Sequence, residues 1–157
     1  MKRNSNSYYM RRRRALNESR VNAIHSVGLF VERLENLCDD MEWLKNGEAD
    51  DDYNGYMTRI SNMKKNVDFL VHLYSTDDAF IPEFTYEPGY TADKNFADSM
   101  EEYDLDFVEA MKTLSTTLDI LIDSKDENTV RDAWEFEITL IEPVRAFIKD
   151  LRKDYSI

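Results

Sequence analysis

In four long stretches of this chain apolar residues return every three or four positions, and glycine and proline almost never interrupt them. Ile24, Val27, Val31, Leu34, Cys38 and Met41 keep that spacing, with Phe30, Leu37 and Leu44 in a second column beside them. Tyr53, Tyr56, Ile60, Met63, Val67, Leu70 and Tyr74 keep it next. Phe96, Met100, Tyr103, Phe107, Ala110, Leu114 and Leu121 follow, with Thr117 as the weak member. Val130, Trp134, Ile141, Val144, Ile148, Leu151 and Tyr155 form the last stripe, flanked by Ala133, Leu140 and Phe147. Four glycines and three prolines in 157 residues supply too few turns for a sandwich or a barrel.

The spacing predicts an all-α chain. A first helix runs from about residue 15 to 46 and is stopped by Gly47 at the position after the last helical turn. A second covers about 52–75, with Asp50–Asp52 favouring its positive end. A third runs without a break from about 91 or 93 to 122, and a fourth from about 128 to 153. Pro143 falls inside the fourth, removes one backbone donor and predicts a kink near 140–142. Four amphipathic helices each need a partner for one apolar stripe, and an antiparallel four-helix bundle is the economical solution. The connection between the second and third helices, roughly sixteen residues, is longer than a bundle needs. Residues 15–157 then form a single helical domain behind an N-terminal arm, residues 1–14.

Charge separates the arm from the body. The first twenty residues carry seven basic side chains against Glu18 alone, or +6. The rest carries thirteen basic and thirty-one acidic side chains, or −18, for a chain total of −12. Arg11, Arg12, Arg13 and Arg14 with Tyr8 and Tyr9 form a candidate polyanion-binding arm, its cations meeting phosphates and its rings stacking on bases. The body's own acid is a competing partner for the same arm.

The second candidate is a run of carboxylates. Asp98, Glu101, Glu102, Asp104, Asp106 and Glu109 place six acids in twelve residues with no base among them. On a rigid helix such a row repels itself at i,i+3 and i,i+4, which argues for a role beyond solubility. A row of carboxylates on a rod imitates a phosphate backbone and suits the cationic groove of a nucleic-acid enzyme. We take Asp98, Glu101, Glu102, Asp106 and Glu109 as the partner-binding row. The connecting loop adds Phe84, Tyr86 and Tyr90 as aromatic anchors, with packing over the bundle end as their competing role.

Other chemistry finds less support. Asp50, Asp52, Asn54 and Gly55 copy the first half of a calcium loop, but the twelfth position, which needs a bidentate Glu, is Ser61. Paired Glu-x-x-His motifs for a di-metal bundle do not occur. Glu137 is the one carboxylate in a core column, between Trp134 and Ile141, and suits a bundle end, a hydrogen-bonded core group or a partner contact. Arg20 and His25 stand in R-x4-H spacing and so resemble the HEPN class of helical ribonucleases. That likeness covers six residues and implies RNA cleavage by this pair. His25 follows Ile24 on the stripe, which turns it outward and favours a solvated surface histidine.

These residues predict a non-enzymatic helical binding protein with no metal and no cofactor. It acts on a nucleic-acid-processing or nucleoprotein complex, as a small cellular or phage-encoded inhibitor or assembly subunit. Two alternatives stand beside it: a nucleic-acid-binding subunit that uses the arm, and a HEPN-like ribonuclease built on Arg20 and His25. One cysteine, Cys38, excludes an intrachain disulfide and suits the cytoplasm. The longest uncharged apolar run falls far short of the roughly 20 residues that span a bilayer, so no membrane contact is expected.

Overall fold

A computed structural model describes residues 27–47, 53–76 and 89–157. These residues are all-helical, with no strand among them. Helix α1 covers 27–45, α2 Tyr53–Thr76, α3 Gly89–Ser99, α4 Phe107–Asp123 and α5 Glu127–Tyr155. A single 3-10 turn, Glu101–Tyr103, lies between α3 and α4.

The apolar stripes do what their spacing predicts. All the predicted core positions of α1 from Val27 onward are buried, as are Ile60, Met63, Val67 and Leu70 of α2. Gly47 ends α1 with φ 72°, and its N–H donates to the Leu44 carbonyl at 3.1 Å. That left-handed backbone favours a residue without Cβ. The buried apolar side chains of α1 to α5 form one cluster. Each large side chain removed from water there stabilises the fold by about 1.5–3 kcal/mol, whereas each ion pair on its surface contributes about 0–1 kcal/mol. Packing holds the fold, and the ion pairs record which helices are neighbours.

Those pairs give the register. Asp40 of α1 meets Arg59 of α2 at 2.9 Å, and the Asn66 amide donates to the Arg33 carbonyl at 3.0 Å. Glu42 meets Arg145 of α5 at 2.8 Å, and Glu35 pairs with Arg152. Lys64 of α2 pairs with Asp119 of α4, and the Ser115 hydroxyl donates to Asp68 at 3.0 Å. In each pair of helices the numbers rise on one as they fall on the other. Helix α4 also packs along α5, and α3 lies on α5 through Asn95 and Asp150, 3.1 Å apart.

The third predicted helix is corrected. Instead of one rod over 91–122 there are two helices, α3 and α4, with the chain turning between them. On a continuous helix Phe96 and Phe107 would be about 16 Å apart at 1.5 Å per residue. Their ring centroids are 5.5 Å apart, and both rings lie against Phe147, at 5.6 and 4.7 Å. Asp104 makes the turn with φ 54°, in the left-handed region that Asp tolerates better than most residues. Asp106 then caps α4, its carboxylate accepting from the Glu109 N–H at 2.9 Å. Two stripe positions also differ. Tyr103 is 42% exposed, with its ring edge-on to Phe136, and Tyr53 is 70% exposed.

Helix α5 runs through Pro143 without interruption. Its N-cap is Asp126, which accepts from the Thr129 backbone at 3.0 Å, and Ser156 closes the other end in a left-handed cap.

Candidate functional site

Two places in the fold have chemistry that packing alone does not explain. The first is the turn between α3 and α4. Asp98, Glu101, Glu102, Asp104, Asp106 and Glu109 are all exposed, and none has an ion pair with a described basic residue. They do not follow one helix face. Asp98 closes α3, Glu101 and Glu102 open the 3-10 turn, and Asp106 and Glu109 belong to the start of α4. Acids at helix starts are favourable against the macrodipole and unpaired N–H groups. Local structure therefore accounts for Asp104, which makes the left-handed turn, and for Asp106 and Glu109, and leaves the side chains of Asp98, Glu101 and Glu102 without a partner among the described residues. Tyr103 presents a partly exposed ring beside them.

The second place is one end of the helices. A cavity of about 560 Å³ opens there, walled by Tyr53, Tyr56, Trp134, Leu44, Leu121 and Val130. Glu127 and Arg131 stand at it as one acid and one base, and Arg131 lies 4.0 Å from Asp132. Val130, Trp134 and Glu137 share a face of α5, so Glu137 is one turn further along the helix from the cavity wall. Its side chain is fully buried, and neither carboxyl oxygen has a hydrogen-bond partner. Burial pushes its pKa from 4.5 up to about 8, opposed by the charge of Lys45. Tyr56 walls the cavity and senses Glu137 too; burial, and then the Glu137 charge, raise its phenol.

A third cluster reads as structural. The Tyr74 hydroxyl of α2 donates to Asp93 of α3 at 3.0 Å. Burial raises Asp93, opposed by this hydrogen bond and helped by Asp106 nearby. Burial, and then Asp93, raise the Tyr74 phenol. The pair fastens α3 against α2 beneath the acidic turn.

The remaining candidates fall as follows. Arg11, Arg12, Arg13, Arg14, Tyr8, Tyr9, Arg20, His25, Asp50, Asp52, Phe84 and Tyr86 lie outside the described residues. Tyr90 lies in the first turn of α3. Asn54 and Gly55 belong to α2, not to an ion-binding loop. Cys38 is buried with its thiol pushed up to about 12, chiefly by burial, which keeps it protonated and inert. Among the described residues no group of three potential ligands converges on a point, and no helix is long and apolar enough to cross a membrane. Glu137 was legible in the sequence as a core carboxylate; its lack of a partner and the adjoining cavity were not. No protein family, no curated protein and no solved structure matches this chain.

Proposed function

We propose that this chain acts by binding rather than by catalysis, and that the exposed acids between α3 and α4 dock on a cationic protein surface. The observation that carries the reading is the set Asp98, Glu101 and Glu102: exposed, without basic partners among the described residues, and with side chains unused by any cap. Carboxylates that neither pair nor cap contribute mutual repulsion and nothing to the fold. A partner rich in Lys and Arg relieves it, and surfaces of that kind are the ones that otherwise hold phosphates. The partner is accordingly a nucleic-acid-processing or nucleoprotein component, and the chain a small inhibitor or assembly subunit of it. The finer architecture fits such a role. α1, α2, α4 and α5 form an antiparallel four-helix arrangement, supported by the opposed numbering of their cross-helix pairs, with α3 carried on α5. That rigid support holds the acids in place.

The test is capture from nuclease-treated extract by the full chain and by Glu101→Lys/Glu102→Lys, two positions outside the Asp106 cap. The wild-type chain retains a nucleic-acid-binding protein that duplex DNA displaces at low salt, and the double variant loses it. Equal capture by both chains, or capture indifferent to DNA, overturns the reading.

A further inference from the structure

The cavity lies at the other end of α4 from the acidic turn, and its own lining points to a ligand. That lining is mainly apolar. Leu44 and Leu121 are buried, Val130, Tyr56 and Trp134 pack half-buried against the core, and Tyr53 adds an exposed ring. Glu127, Val130, Arg131 and Trp134 are spaced i, i+3, i+4 and i+7 along α5, so one face of that helix supplies both charges and two of the apolar walls. Glu four residues before Arg is the order that normally closes into an ion pair on a helix. Here the two do not pair. The acid nearest Arg131 is Asp132, at 4.0 Å, and neither Glu127 nor Arg131 has a side-chain hydrogen bond among the described residues. Pockets of roughly 300–1,000 Å³ with apolar walls and a few polar groups are the form small-ligand sites take.

We propose that this cavity binds a free α-amino acid with a large apolar side chain. The ligand carboxylate meets the Arg131 guanidinium, its ammonium meets the Glu127 carboxylate, and its side chain lies among Tyr53, Tyr56 and Trp134. The balance of charge selects this class. A simple organic cation meets Arg131 as a like charge, and a simple organic anion meets Glu127; only a zwitterion finds an opposite charge at both. The spacing agrees. The two charged groups of an amino acid share one carbon, and side chains four residues apart on a helix start about 5–6 Å from each other, close enough for one ligand to reach both. The site is independent of the acidic turn and stands whether or not a protein docks there.

The experiment is calorimetric titration of the full chain at pH 7 with L-phenylalanine. Two analogues each lack one charge: 2-phenylethylammonium has no carboxylate and 3-phenylpropionate has no ammonium. The expected result is saturable binding of L-phenylalanine, with each analogue weaker by about threefold to tenfold, the range of a partly exposed charge contact. Arg131→Gln abolishes the advantage of L-phenylalanine over the amine, and Glu127→Gln abolishes its advantage over the acid. Both positions are exposed, so these variants fold as the wild type does, which their melting curves verify. Trp134→Ala weakens all three ligands together. Absence of saturable L-phenylalanine binding by the folded wild-type chain overturns the proposal, as does equal binding of the three ligands or an advantage over the amine that survives Arg131→Gln.

Discussion

Phe107 stacks on Phe147, centroid to centroid at 4.7 Å with the rings 20° from parallel. One ring opens α4 and the other lies deep in α5, and Phe30 of α1 and Phe96 of α3 meet the same pair. Tyr74 of α2 joins through Phe30 and Phe107, so all five helices converge on one aromatic cluster.

Truncating Phe147 to Ala removes the ring that Phe30, Phe96 and Phe107 share. Loss of a large buried aromatic costs about 3–5 kcal/mol. Phe107→Ala costs a similar amount, and the double variant costs less than the sum by about 0.5–1.5 kcal/mol, the coupling of an aromatic pair. Urea denaturation of the three variants measures it; strict additivity means that the stacked geometry contributes nothing of its own.

The turn into α4 depends on Asp106. Asp106→Ala removes the acceptor for the Glu109 N–H and lowers stability by about 1 kcal/mol, while Asp106→Asn recovers most of it. Thermal melts of the two variants decide it, and equal melting of Ala and Asn removes the cap from the account.

The sequence announced this turn only faintly. Met100, Tyr103 and Phe107 keep the 3-4 spacing across the break, and no Gly or Pro marks it. Periodicity reports that a residue prefers a buried face; it cannot report that the chain has left one helix and entered another. The available signal was Asp106 followed three residues later by Glu109, the pattern of a helix start. Where no such break competed, in α1, α2 and α5, the stripes located the buried faces correctly. They failed again at the cavity. Tyr56 and Trp134 keep their stripe positions and pack against the core only half-buried, while Tyr53, in the first turn of α2, is 70% exposed.

Glu137 sets an unusual pH dependence. Its acid is neutral when folded up to about pH 8 and ionises near 4.5 when the chain unfolds. Between those values the folded state binds the extra proton, so stability falls as pH rises, by at most about 1.4 kcal/mol per pH unit. Below about 4.5 this contribution is fully present, and above 8 it is gone. Glu137→Gln removes it. The variant matches the wild type near pH 5 and melts higher at pH 8, and a constant difference in melting temperature across pH 5 to 8 excludes a titrating Glu137.

Gly28 lies inside α1 with no atom within 4 Å of where a Cβ would stand. Gly28→Ala stabilises the chain by about 0.5–1 kcal/mol, because it stiffens the unfolded chain and clashes with nothing. Urea titration measures the gain; a loss of stability indicates that the helix requires glycine there.

The arginines that cross between helices have a consequence at longer range. Arg59, Arg145 and Arg152 each bridge to an acid of α1, and Lys64 joins α2 to α4. Those pairs offset part of the acid on α1, and among the described residues the turn before α4 is the segment with six acids and no base. Among the described residues the charge is lopsided. A cationic body approaching within about a Debye length, roughly 8 Å at physiological ionic strength, experiences a torque before it makes any contact. In the docking proposed above it arrives already turned toward Glu101 and Glu102, so the helix-bridging arginines would set the orientation of encounter without taking part in it.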